Sequence, residues 1–140
     1  MAQKKIRVAV VGFGISAKVF HLPFINMLTD KYELVSILQR KGNEAHEKYA
    51  SVKIAGDIDE LVADTDIDLV VITTPNDTHF PYAKKALEAG KHVVLEKPFT
   101  NTTGEARQLV DIAAGSGKLL SVYQNRRYVS DFRTMKEIMD

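Results

Sequence analysis

Residues 6–11, Ile-Arg-Val-Ala-Val-Val, run straight into Gly12-x-Gly14-x-x-Ala17, and no other stretch restricts the fold as much. The run before the glycines is almost wholly aliphatic, as expected of a strand covered on both faces of a parallel sheet. A helical pattern follows it. In a strand–turn–helix of this kind Gly12 permits the tight turn, Gly14 lets the backbone approach a pyrophosphate, and Ala17 lets helix and strand pack closely. Phosphates then lie on free N–H groups at a helix N-terminus, where the dipole favours negative charge. On its own the glycine pattern is common. Directly behind a buried strand it predicts dinucleotide binding through Gly12, Phe13, Gly14, Ile15 and Ser16.

Residues 16–29 carry apolar side chains at Val19, Phe20, Leu22, Ile25, Met27 and Leu28, which suits a helix on the sheet. Pro23 falls inside it and predicts a kink or restart near His21, itself read as a packed or capping histidine. Strands are expected at 33–39, 52–55, 68–73, 91–96 and 119–123, separated by helices at 44–49, from 57, up to Ala89 and from Thr102. Asp57 and Asp59 read as helix-capping acids. Gly90 is placed to end the helix before it, and Thr102-x-x-Glu105 is a capping box for a helix burying Ala106, Leu109, Val110 and Ala113. Regular alternation with short connections predicts an α/β fold. Its core is a doubly wound, mainly parallel six-stranded Rossmann sheet of order 3-2-1-4-5-6, with helices on both faces.

Composition removes several alternatives. A chain of 140 residues, 45% hydrophobic and 26% charged, suits one globular domain, and 19 basic against 18 acidic side chains leave no basic field for nucleic acid. No apolar run reaches the ~18–20 residues of a membrane helix. Cysteine is absent, so no disulfide or thiolate metal site is expected, and no metal site is expected at all. Met-Ala-Gln-Lys-Lys leads directly into the first strand without a signal-peptide apolar region, which predicts a cytoplasmic protein.

In doubly wound sheets ligands bind beyond the carboxyl ends of the strands, where strand order reverses. That rule selects Gly12–Ser16, Gln39–Lys41, Thr73–Asn76, Glu96–Pro98 and Tyr123–Arg127. The second strand decides cofactor choice. NAD-binding folds usually end it in Asp or Glu, which holds the ribose 2′-hydroxyl. Here it ends in Gln39-Arg40-Lys41-Gly42, with no carboxylate before Glu44. Two cations without an acid predict NADP over NAD.

Several of these groups together resemble the glucose–fructose oxidoreductase / inositol dehydrogenase / MocA family of nicotinamide-dependent dehydrogenases. The matching pieces are the glycine turn, Thr74-Pro75-Asn76 with His79 behind it, Ala89-Gly90-Lys91-His92-Val93, Glu96-Lys97-Pro98 and Tyr123-Gln124-Asn125-Arg126-Arg127. Phe20-His21-x-Pro23 and the Asn-Arg-Arg segment look most like the NADP-dependent inositol dehydrogenases. The resemblance implies that Lys97 is catalytic, beside the nicotinamide and the reacting hydroxyl. It implies cofactor contacts from Thr74, Pro75, Asn76, Glu96, Asn125 and Arg126, and it places His79 with them, working mainly by packing behind the turn. It implies a polyol or sugar substrate and the possibility of a homo-oligomer. It also implies a longer protein, with residues 1–124 as the dinucleotide-binding domain and 125–140 opening a substrate domain. The amphipathic pattern at Phe132, Met135, Ile138 and Met139 reads as a helix of that second part. A non-catalytic NAD(P)-sensing protein on the same fold is the competing expectation, and a domain with an empty crevice the blander one.

Overall fold

The structure, a computed structural model, describes residues 4–140. Six strands form one sheet: β1 (Ile6–Val11), β2 (Tyr32–Leu38), β3 (Lys53–Ala55), β4 (Leu69–Ile72), β5 (His92–Leu95) and β6 (Leu120–Val122). Their spatial order is β3-β2-β1-β4-β5-β6 and every neighbouring pair is parallel. The expected order is the one found. Strand order reverses between β1 and β4, where Val10 pairs with Val71 and Val11 with Ile72.

Alternation along β1 divides the core. Ala9 and Val11 face one layer, with Val70, Ile72 and Leu95, against Leu61 of α3 (Ile58–Ala63), Leu87 of α4 (His79–Glu88) and Leu109 of α5 (Thr103–Ser116). Val8 and Val10 face the other, against Leu22 and Ile25 of α1 (Leu22–Met27) and Ala45 of α2 (Glu44–Lys48). This second layer is narrower. Over β4–β6, Leu69, Val71 and Val94 line a shallow groove with Phe20, Phe24 and Leu28 of the α1 segment. The apolar stripe of that segment is therefore wider than the surface it covers: Leu22 and Ile25 are buried, whereas Val19, Phe20 and Met27 are exposed.

The break expected near His21 is present. Residues Ala17–His21 form a π-helical turn, and α1 restarts behind it with Pro23 in its first turn, where a missing N–H costs nothing. Gly90 and Gly117 have φ of 76° and 64° and end α4 and α5 as left-handed residues. Both halves of the Thr102–Glu105 capping box are made. Two expectations need correction. Val110 is 54% exposed, because one residue beyond Leu109 turns it about 100° away from the core, while Ile112 packs inward instead. Asp57 does cap α3 through the Glu60 N–H, but Asp59 points to α4 and ion-pairs with Lys85 at 2.6 Å.

Beyond β6 lie a 3₁₀ turn (Asn125–Tyr128) and α6 (Ser130–Met139), whose Met135, Ile138 and Met139 are exposed. No helix among the described residues is long and apolar enough to cross a membrane, and no group of metal-ligating side chains occurs among them.

Candidate functional site

The crevice opens at the carboxyl ends of β1 and β4. Gly12 leaves β1 with φ of 99°, and a Cβ there would stand 3.0 Å from both Thr73 Oγ1 and Thr74 Cγ2. Glycine is required twice over, by conformation and by contact. Gly14 differs: no atom lies within 4 Å of where its Cβ would be, so its backbone borders open space. The Lys18 N–H bonds the Gly14 carbonyl at 3.1 Å, which leaves the N–H groups before it as the orphan donors of the helix start. Thr73 closes the turn from the other side, its hydroxyl donating to the Val11 carbonyl at 3.0 Å.

Two cavities meet at Thr73 and Thr74. The first, of about 510 Å³, is walled by Gly12, Phe13 and Gly14 on one side and Gln39, Arg40 and Lys41 on the other, with Thr74 and Pro75 as floor. Gln39 faces it as a brace, its Oε1 accepting the Ala45 N–H at 2.8 Å, and its amide NH2 keeps two donors of its own. Arg40 and Lys41 are exposed and make no ion pair among the described residues. The second cavity, of about 530 Å³, brings together Ile15, Ser16, Thr74, His79, Glu96, Lys97, Asn125 and Arg126. Asn76 lines neither; it opens an exposed 3₁₀ turn, Asn76–Thr78, at the rim.

The second cavity rests on buried polar groups. Glu96 is 7% exposed, and its carboxylate accepts the Ser16 hydroxyl, contacts His21 Nε2 at 3.0 Å and accepts the Lys97 N–H at 3.1 Å. Burial pushes its carboxyl up, but Ser16, His21 and the Lys97 N–H outweigh that and hold it below the usual glutamate value. The Tyr123 ring lies 4.4 Å from that of His21 and its hydroxyl donates to the Phe20 carbonyl, so the π-helical turn is clamped from β5 and β6 together. Burial, then the Glu96 charge, raises the Tyr123 phenol. His79 is also buried, with Nδ1 2.7 Å from the Pro98 carbonyl and Nε2 2.9 Å from that of Thr74. Each nitrogen faces a backbone carbonyl, and a neutral ring donates to one of the two, so His79 sits between the turns after β4 and β5. The Lys97–Pro98 peptide bond is cis.

Sequence reasoning missed the links among these groups. Ser16 and His21 reach Glu96 across 80 and 75 residues and Tyr123 reaches Phe20 across 103, and no local pattern announces that. Gln124 and Phe20 also line the second cavity.

A family model described as an oxidoreductase family with an NAD-binding Rossmann fold matches residues 6–124. The chain belongs to the Gfo/Idh/MocA family. It is 45% identical over 139 residues to the uncharacterized oxidoreductase C115.03 of Schizosaccharomyces pombe, covering 96% of this chain and 38% of that protein. It is 37% identical over 134 residues to scyllo-inositol 2-dehydrogenase (NADP(+)) IolW of Bacillus subtilis, covering 96% and 37%. The crystal structure of an oxidoreductase from Bacillus cereus superposes with a TM-score of 0.88 at 35% identity, covering 96% of this chain and 39% of that one. The chain thus spans about two-fifths of the length of its Gfo/Idh/MocA relatives, and the part it spans is the N-terminal, cofactor-binding one.

Proposed function

We propose that this Gfo/Idh/MocA domain binds NADP and serves an oxidoreductase that moves hydride between the nicotinamide and a hydroxyl-bearing carbon of an inositol, another polyol or a sugar. In that reading residues 1–124 are the cofactor domain and 125–140 open a further domain that holds substrate. The observation that carries it is Lys97: a lysine with no ion-pair partner among the described residues, at the wall of the second cavity, its backbone N–H tied to Glu96. The Bacillus subtilis relative is named for NADP and scyllo-inositol, which supports the cofactor and substrate class.

The residues present fit a dinucleotide. Gly14 borders open space beside the helix start, Arg40 and Lys41 suit a 2′-phosphate, and the cavities on either side of Thr74 suit its two halves. When bound, the nicotinamide supplies the hydride donor or acceptor. The chain's own residues do the rest. Glu96, with both oxygens engaged, fixes where the Lys97 backbone lies. The Lys97 ammonium hydrogen-bonds the reacting oxygen and steadies the charge that develops there.

Lys97→Met in the full-length protein tests this. Cofactor affinity should stay within about twofold while turnover falls by ~10²-fold or more. Normal turnover with weakened NADP binding would make Lys97 a cofactor contact instead, and NADP binding without turnover on any polyol or sugar would favour the sensing protein. Residues 1–140 alone should bind NADP without turning over a polyol, because alignment of substrate against nicotinamide, worth ~7–11 kcal/mol, needs groups from both domains.

A further inference from the structure

Glu44 is the first carboxylate after β2, three residues beyond Lys41, and in the folded chain it is held by a residue of the glycine-turn helix. Lys18 Nζ lies 2.7 Å from Glu44 Oε1 and 2.6 Å from Oε2, so one ammonium spans both oxygens. The same ammonium sits 4.8 Å from the centre of the Phe13 ring, where an aromatic face attracts a cation. Phe13 is fixed in turn: it is buried, and Tyr49 meets it edge-on at 6.0 Å, with the Tyr49 hydroxyl accepting from Asn26. Gln39 pins the loop from within through the Ala45 N–H. Lys18 is half-buried and Glu44 exposed, so water screens the pair and its contribution to stability is small.

We propose that Lys18 is a cofactor-selectivity residue acting through Glu44. It neutralises the first acid after β2, at the start of α2, and keeps it from both repelling a 2′-phosphate and accepting a ribose 2′-hydroxyl. The proposal rests on the NADP reading, with Arg40 and Lys41 as the direct phosphate contacts. Without Lys18, Glu44 becomes the carboxylate that an NAD-binding strand end would supply. A freed unit charge within a Debye length of a phosphate changes affinity by about 3- to 10-fold.

The test is fluorescence titration of the 140-residue chain with NADPH and NADH, and competition by 2′,5′-ADP against 5′-ADP. Lys18→Met should reduce the NADPH-over-NADH preference about 3- to 10-fold, with the same change in the two ADP probes. Lys18→Met/Glu44→Gln should restore it. A simple packing role would move neither ratio. Equal weakening of both cofactors would make Lys18 a pyrophosphate contact, and loss of preference that Glu44→Gln does not restore would make it a direct 2′-phosphate contact; either overturns the proposal. A wild-type chain without preference sinks the NADP reading and this inference together. An unchanged ratio in Lys18→Met on a wild-type background that does prefer NADPH sinks this inference alone.

Discussion

The two cavities of the crevice are built by opposite means. On the Arg40–Lys41 side the charged groups are exposed and stand on a loop braced over six residues by Gln39 and Ala45. On the Lys97 side an exposed lysine stands on buried polar groups, Glu96, His21 and His79, and Glu96 joins elements 75 to 80 residues apart. An exposed loop charge can change with little effect on the fold, whereas a buried carboxylate with three partners cannot. Selectivity is thus adjustable on one side and reactivity fixed on the other. The glycine turn belongs to both.

The largest effect should come at the turn that the two sides share. Gly12→Val places a branched side chain at φ of 99° and drives its Cβ to 3.0 Å from Thr73 and Thr74. Strain and overpacking together should cost ~2–5 kcal/mol and abolish NADP binding. Thermal melting and titration read both. A melting point within a degree or two of wild type would mean that the turn rearranges freely and that the two sides are less coupled than their geometry shows.

Glu96→Gln breaks the buried side alone. It should cost ~1–3 kcal/mol near neutral pH by leaving Ser16, His21 and the Lys97 N–H imperfectly partnered. The pH dependence gives the sharper reading. The Glu96 carboxyl is held below its ordinary value in the folded chain, so its contribution is complete above the unfolded-state value and disappears as pH falls through the folded one. Denaturant midpoints measured down the acid range should therefore fall more steeply for wild type than for Glu96→Gln. Parallel curves would place the acid sensitivity elsewhere.

The exposed side should respond in the opposite way. Arg40→Ala/Lys41→Ala should lower the NADP-over-NAD preference by about 10- to 100-fold, as charge-assisted hydrogen bonds to the 2′-phosphate are lost, while stability stays within ~0.5 kcal/mol. A large drop in stability without a change in preference would reverse the contrast between the two cavities.

What could be read from the sequence follows the same division. The strand order, the Gly12 turn, the restart at His21 and the Thr102 cap are local patterns with local causes, and the folded chain keeps them. Most residues of both cavities were reachable too, because strand ends are legible once the strands are; Phe20, on the π-helical turn, and Val129, before α6, lie at no strand end and were not. The bonds among them were not: that His21 meets Glu96, or that Lys18 takes Glu44, depends on how elements far apart in sequence are brought into register. Asp59 and Val110 failed for a related reason. An acid in a first helical turn and a valine beside a buried leucine carry no mark of whether a lysine of α4 or open solvent lies opposite.

The smallest effect should fall outside both cavities and calibrate the rest. Thr102 accepts the Glu105 N–H at 3.2 Å while the Glu105 carboxylate takes the Thr102 N–H at 3.1 Å, at the start of α5. Neither residue lines either cavity. Thr102→Ala removes one half of the cap and should cost about 1 kcal/mol. Because α5 packs through Leu109 against the layer opposite α1, that destabilisation has no direct route to Glu96 or Arg40. Affinity for NADP, and its ratio to that for NAD, should match wild type at temperatures where both chains are folded. If so, the effects expected for Glu96→Gln and Arg40→Ala/Lys41→Ala reflect the cavities themselves rather than a generally weakened domain. A weakened NADP affinity in Thr102→Ala would mean that stability and binding are coupled throughout the sheet, and the contrast between the two cavities would have to be redrawn.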